Sequence, residues 1–150
     1  MVNVRLVEVT ADTVREVTSL RVSPDQEKFV APNAVSIAQA YFTKEHWFRV
    51  IAVDEELVGF VMLYTKVEEE AVFIWRFMID QRYQRRGFGG AGLQAVVSEV
   101  KTWPGVAALR LSFVDAPGGP ESFYKANGFR RTGRVVDGEV EAELRPLGGA

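Results

Sequence analysis

Residues 80–103, DQRYQRRGFGGAGLQAVVSEVKTW, hold the residues of this chain best suited to chemistry. Arg82, Gln84, Arg85 and Arg86 come first, then Gly87, Gly89, Gly90 and Gly92, and the rest has the pattern of an amphipathic helix. Glycine lets a ligand approach the backbone closely. A helix start leaves amide hydrogens without partners and carries the positive end of the dipole, so an anion is favoured there. Arginines just upstream suit phosphate. In an ordinary helix each of these glycines would cost about 1 kcal/mol relative to alanine. The stretch reads as a pyrophosphate cradle.

Two known phosphate sites can be tested against it. Gly87-Phe88-Gly89-Gly90-Ala91-Gly92 matches the letters of the dinucleotide fingerprint G-x-G-x-x-G. That fingerprint follows a strand directly and opens a doubly wound domain. Here the polar residues 80–86 intervene, and the motif lies mid-chain behind what reads as a hairpin. A Walker A loop needs a lysine followed by Ser or Thr, which is missing. The dinucleotide reading fails on context, and the Walker A reading on its missing residues.

Gln84-Arg85-Arg86-Gly87-Phe88-Gly89 resembles the Q/R-x-x-G-x-G/A signature of the GNAT superfamily, whose members are N-acetyltransferases that use acetyl-CoA. Downstream, Phe123-Tyr124-Lys125-Ala126-Asn127-Gly128-Phe129 is similar to the Y-x-x-x-G-F segment of the same family. The order and spacing of the two motifs extend the resemblance over nearly the whole chain.

The elements that must position these residues follow from periodicity and turn chemistry. Residues 2–9 alternate as a first strand, and a helix capped at Thr10 or Asp12 runs to about Val22. Ser23-Pro24-Asp25 breaks it, residues 26–33 are irregular, and a second helix covers 34–42. Strands 47–53 and 57–64 form a hairpin around Asp54-Glu55-Glu56, and the apolar strand Ala71–Ile79 enters the cradle. After the central helix, Pro104-Gly105 is a stop, 106–114 a buried strand and Glu121–Ala126 a short helix ended by Asn127-Gly128. Arg130–Val136 and Glu139–Leu144 form a hairpin about Asp137-Gly138, and residues 146–150 are expected to fray. This order predicts a single α/β domain over residues 1–150, with a mixed, mostly antiparallel sheet and helices on both faces. The resemblance implies the GNAT acyltransferase fold, in which the strand ending at Ile79 splays from the next one. The pantetheine arm would lie in that wedge and pair with backbone groups of Phe77 and Ile79 beside Met78, like an added strand.

Composition narrows the partners. The 150 residues amount to about one domain, with 47% apolar and 25% charged residues. A net charge of −2 gives no reason to expect nucleic acid or an anionic membrane. Without cysteine there is no disulfide and no thiolate nucleophile, and a single histidine suggests no metal cluster. No apolar run is long enough to span a bilayer and no signal-peptide pattern opens the chain, so a cytoplasmic location is expected.

The resemblance then assigns roles. Acetyl transfer to an amine requires a held thioester, a proton acceptor, an oxyanion donor and a stabilised leaving thiolate. Holding acetyl-CoA falls to the amides of residues 86–91 (Arg86, Gly87, Phe88, Gly89, Gly90, Ala91), with Gln84, Arg85 and Arg86 in support. Tyr124, from the Y-x-x-x-G-F tyrosine, is the candidate proton donor to the sulfur. A phenol titrates near 10 and a thiol near 8.5, so full transfer is uphill by about 2 kcal/mol. Either the site lowers the phenol's pKa or Tyr124 only hydrogen-bonds to the sulfur.

Relatives often place a glutamate on the strand before the cradle, where Phe73-Ile74-Trp75-Arg76 carries none. Glu27 is the best single candidate base; Glu68, Glu69, Glu70, His46 and a water chain are the others. Pro117 also departs from the family, near where relatives often carry an asparagine that contacts the cofactor arm. Trp75-Arg76-Phe77-Met78-Ile79-Asp80 and Asp25-Gln26-Glu27-Lys28-Phe29-Val30 look similar to bacterial spermidine/diamine acetyltransferases. A polyamine needs carboxylates and aromatic faces, which Asp25, Glu27, Glu68, Asp80, Tyr41 and Trp75 could supply. Aminoglycosides, amino acids or a protein N-terminus are alternative acceptors. A CoA-binding sensor without catalysis is the alternative function. The resemblance is also compatible with a homodimer.

Overall fold

A computed structural model describes residues 3–147. Seven strands form one sheet in the order β1-β2-β3-β4-β5-β7-β6. They are β1 (Val4–Val7), β2 (His46–Val53), β3 (Glu56–Glu68), β4 (Ala71–Ile79), β5 (Ala108–Phe113), β6 (Arg130–Val136) and β7 (Glu139–Leu144). Every neighbouring pair is antiparallel except β4 and β5. Those two run parallel for only three residue pairs, Ala71↔Ala108 to Phe73↔Arg110, and then part. Past Phe73 and Arg110 each strand keeps only its outer partner. From Leu109 to Phe113 the far edge of β5 is paired with β7, while β4 stays on β3 up to Ile79.

Apolar alternation sends side chains to two cores. On one face, α3 (Phe88–Val100) places Leu93, Val96, Val97 and Val100 against Ile51, Val61, Leu63, Val72 and Leu111. The short helix α4 (Glu121–Ala126) adds Phe123 and Tyr124 to that face. On the other face, α1 (Val14–Ser19) and α2 (Asn33–Ala40) place Val17 and Ala40 against Val50, Phe60, Met62 and Met78. These helices cover the β2–β4 side of the sheet. Beyond β4 the same face of β5, β7 and β6 carries ion pairs. Glu69 meets Arg110 at 2.8 Å and Arg134 at 3.0 Å, Arg110 meets Glu143 at 2.7 Å, and Arg134 meets Glu141 at 2.9 Å.

The two hairpin strands Arg130–Val136 and Glu139–Leu144, the helix Glu121–Ala126 and the strand Ala71–Ile79 lie where the sequence places them. Other boundaries move. The first strand covers Val4–Val7 only, and Val2 lies outside the described residues. The first helix stops at Ser19 instead of Val22, because Arg21 is held elsewhere: its N–H donates to Asp80 Oδ2 at 2.8 Å and its carbonyl accepts from Gln81 N–H at 2.8 Å. Leu20, extended at φ −63° and ψ 133°, is buried. The stretch expected to be irregular opens with a 3₁₀ segment, Pro24–Phe29. β3 continues past Tyr64 to Glu68 and turns back through Glu69 and Glu70, both at positive φ (52° and 64°). In this acidic run Glu69 is ion-paired and the Glu70 carbonyl accepts from Ala107 and Ala108. The expectation of a frayed tail is corrected at Leu147, which is buried and donates its N–H to Ala107 O at 3.3 Å; residues 148–150 lie outside the described residues.

Candidate functional site

The cradle is fastened at its root by a buried carboxylate. Asp80 Oδ1 accepts from Arg82 N–H (2.8 Å) and Nε (2.9 Å), while Oδ2 takes the Arg21 amide. Burial opposes ionisation of Asp80, but the bonds from the Arg82 side chain and the two amides outweigh it and hold its pKa below the usual range. Asp80 thus joins the α1 exit to the cradle and is not free for an ammonium. A 3₁₀ turn, Gln81–Tyr83, follows, and then Arg85 (φ 65°) and Gly87 (φ 82°, ψ 4°) bend the chain into α3. Gly87 is the residue before the helix, in the left-handed region that glycine enters without strain.

The amides of residues 86–90 find no acceptor among the described residues, whereas Ala91 N–H is spent on Gly87 O at 3.1 Å. The free donor set therefore ends at Gly90, one residue short of the expected set. Gly89 has a second reason to be glycine: a Cβ there would come within 3.1 Å of the Phe123 ring.

The splay opens a cleft of about 1020 Å³ between β4 and β5. Gln84, Arg85, Gly87, Gly89 and Gly90 line its cradle end, and Phe77, Met78, Ile79 and Tyr124 line its middle. Arg86, Phe88 and Ala91 do not line it. The Arg86 guanidinium lies over the Tyr83 ring at 5.7 Å, and the Phe88 side chain packs on the α3 core. The Met78 carbonyl faces β3, since a Cβ on Gly59 would collide with it, and Asp80 N–H donates to Val58 O at 2.8 Å. By strand alternation the backbone groups of Phe77 and Ile79 project into the wedge. The Ile79 carbonyl already accepts from Gln84 Nε2 at 2.8 Å. The same Gln84 nitrogen donates to Gln26 Oε1 at 2.9 Å, so this side chain braces the 3₁₀ segment that carries Glu27.

Tyr124 stands on the cleft wall among Phe123 (5.3 Å) and Phe129 (5.7 Å). Its hydroxyl has no partner among the described residues, and burial pushes the phenol far above its ordinary pKa. Of the two options for this residue, burial disfavours proton transfer from a lowered phenol. What the group can do is donate a hydrogen bond.

The far end of the cleft is made of side chains from separate segments. β4 is bulged at Trp75, because Met62 pairs with Arg76 and Leu63 with Ile74. The bulge puts Trp75 and Arg76 on the same face: Trp75 packs with the α1/α2 core and Arg76 Nη2 donates to Gln39 Oε1 of α2 at 3.0 Å. Burial lowers the pKa of Arg76, with partial relief from Glu139, and its Nε is buried without a partner. Glu27 and Phe29 reach the cleft from the 3₁₀ segment, and Asp137 and Glu139 from the β6–β7 hairpin. Among the described residues no group of side chains could hold a metal ion.

The remaining expected acceptor residues are not brought to the cleft. Tyr41 is 84% exposed just beyond α2, stacked edge-on with Phe42 at 5.2 Å. Asp25 is outside the lining and accepts from Ser23 Oγ at 2.6 Å. Glu68 lies at the closed end of the wedge, and His46 is tied to Thr43 O at 2.7 Å. The sequence reading missed Arg76, Ser112, Asp137 and Glu139. No local signal marks them, since only the splay shows that the hairpin faces the β4 bulge.

A sheet parted beside a glycine-started helix, with a tyrosine on the wall of the opening, defines a class. Residues 10–129 match the model of the Acetyltransferase (GNAT) family, and the chain belongs to that family. It is 26% identical over 142 residues to a spermine/spermidine N(1)-acetyltransferase of Bacillus subtilis (strain 168), covering 89% of this chain and 91% of that protein. Its fold is similar to that of the spermidine N-acetyltransferase of Vibrio cholerae solved with CoA and spermine (TM-score 0.74, 13% identity, 95% of each chain). It is also similar to a Bacillus subtilis acetyltransferase solved with CoA (TM-score 0.70, 16% identity, 98% of this chain and 100% of the other).

Proposed function

We propose that this acetyltransferase moves an acetyl group from acetyl-CoA to a primary amine of a polyamine or diamine, by direct attack in a ternary complex. The observation that carries the reading is the cleft with two unlike ends. At one end are free amides and Arg85 for a diphosphate; at the other are Trp75, Phe29 and three carboxylates for an aliphatic cation. The polyamine acetyltransferase relative supports the choice of acceptor. With no cysteine to carry an acetyl group, a covalent enzyme intermediate of that kind is excluded. In this reading the diphosphate sits on the amides of residues 86–90, the arm's amides pair with Phe77 and Ile79, and Tyr124 donates a hydrogen bond to the departing sulfur.

Arg76 favours a second reading, in which the acceptor also carries an oxygen or carboxylate beside its amine. Thiol release measured with spermidine, spermine, putrescine, aminoglycosides and amino acids separates the two. Turnover confined to amino acids retires the polyamine reading, and polyamine turnover well above the others supports it. Tight acetyl-CoA binding in calorimetry, with silence on every amine, would instead favour a sensor.

A further inference from the structure

An acceptor amine arrives at neutral pH as an ammonium, and it must shed a proton before its lone pair can attack. Three carboxylates line the cleft: Glu27, Asp137 and Glu139. Glu27 and Asp137 are exposed, the first on the 3₁₀ segment and the second at the hairpin tip. Glu139 alone is partly buried and fixed: Ser112 Oγ donates to its Oε1 at 2.8 Å, and Oε2 takes no bond from any described residue. Ser112 lies two residues beyond Arg110, the last β5 residue paired with β4. Carrying both strands forward sets it across the opening from Trp75 and Arg76. Its neighbours Leu111 and Phe113 point into the α3 core, so Ser112 points to the opposite face, where Trp75 and Arg76 also lie. Arg76 is close enough to feel the charge of Glu139.

We propose that Glu139 is the carboxylate that receives the acceptor's ammonium at the transfer point and takes its proton, directly or across one water. Ser112 holds Oε1 so that Oε2 faces the opening. The N–H bond breaks toward Oε2, and the freed pair forms a C–N bond to the thioester carbonyl carbon. Collapse of the adduct breaks the C–S bond. A second proton leaves the adduct nitrogen and neutralises the departing thiolate, beside the Tyr124 hydroxyl. The proton on Glu139 passes to solvent, so amide, thiol and one proton leave the site. The assignment rests on the acetyltransferase reading but not on the acceptor being a polyamine.

The test is steady-state kinetics of Glu139→Gln with the best amine of the wild-type enzyme. Glutamine keeps an oxygen for Ser112 but has no basic site. kcat is expected to fall about 100-fold, the usual scale for a missing base. Acetyl-CoA affinity by calorimetry should stay unchanged, which reports that the cradle is intact. Glu139→Asp should recover part of the lost kcat, and Ser112→Ala should fall between wild type and Glu139→Gln. A wild-type kcat in Glu139→Gln, or an equal loss in Glu139→Asp and Glu139→Gln, overturns the proposal. A wild-type enzyme that prefers a different amine sinks the polyamine reading alone and leaves this comparison in force.

Discussion

The two ends of the cleft are built from different material. The cradle end is backbone: consecutive amides of residues 86–90, presented by a turn through Arg85 and Gly87. The part proposed for the acceptor is side chain: Glu27, Trp75 with Arg76, and Asp137 with Glu139 line the cleft from three segments that meet only in the folded sheet. A backbone site needs its residues in one stretch and restricts their type, because side chains would occupy the ligand's space. A convergent side-chain site has neither constraint. The first kind leaves a mark in the sequence, and the second can change its residues without disturbing the fold.

The sharpest way to break the contrast is Gly90→Asp. A Cβ at Gly90 meets only Asn127 Oδ1, at 3.6 Å, and a carboxylate in a first helical turn suits the dipole. Thermal stability should hold, while acetyl-CoA affinity falls by about 100-fold or more, roughly 2.8 kcal/mol, because the new charge repels the diphosphate. Retained affinity in calorimetry would mean that the anion docks elsewhere.

Tyr124→Phe comes next. Turnover should drop about tenfold or more, near 1.4 kcal/mol of transition-state stabilisation, with acetyl-CoA affinity kept. Since burial raises this phenol, its neutral form persists above the ordinary tyrosine range. The wild-type rate profile should therefore show no Tyr124-dependent loss near pH 10, and such a limb, absent in the phenylalanine variant, would refute the assignment.

A smaller effect is expected of Gln84→Ala, which removes the brace to Gln26 and Ile79. Loss of two such bonds, at about 1 kcal/mol each at most, should raise the acceptor KM several-fold by loosening the segment that bears Glu27. If only cofactor affinity changes, Gln84 belongs to the diphosphate site instead. At the bottom of the scale, Tyr41→Ser should leave both Michaelis constants within error, given its exposure outside the cleft lining.

The same distinction explains how much was legible beforehand. Alternation and turn chemistry are local, so Ala71–Ile79, the terminal hairpin and the helix Glu121–Ala126 could be read residue by residue. The first helix was overextended because its end is set by Asp80, 59 residues from Arg21, which no local pattern reports. Tyr41 offers an aromatic face by residue type alone, yet just beyond α2 it stands in solvent. Glu139 was read as a strand residue and nothing more, because its meaning depends on the parting of β4 from β5. The Glu27 side chain does reach the cleft, but neither its neighbours nor its spacing singled it out from Asp25.

The uncovered, charged face of β5, β7 and β6 has a consequence for how the molecule yields. Hydrogen bonds from Arg134 and Arg110 hold the Glu69 carboxyl below its ordinary pKa. Burial opposes ionisation of Glu143, and Arg110 and Arg145 overcome it. Groups depressed in the folded state lend their support above the ordinary carboxylate pKa and withdraw it as pH falls through the depressed values. Acid or concentrated salt should thus loosen the terminal hairpin before the helix-covered strands, and hydrogen exchange at low pH should find β6 and β7 opening first. Because that hairpin bears Asp137 and Glu139, acid below the ordinary carboxylate range would loosen the proposed seat for the amine, and protonation of Asp80 would loosen the root of the cradle with it.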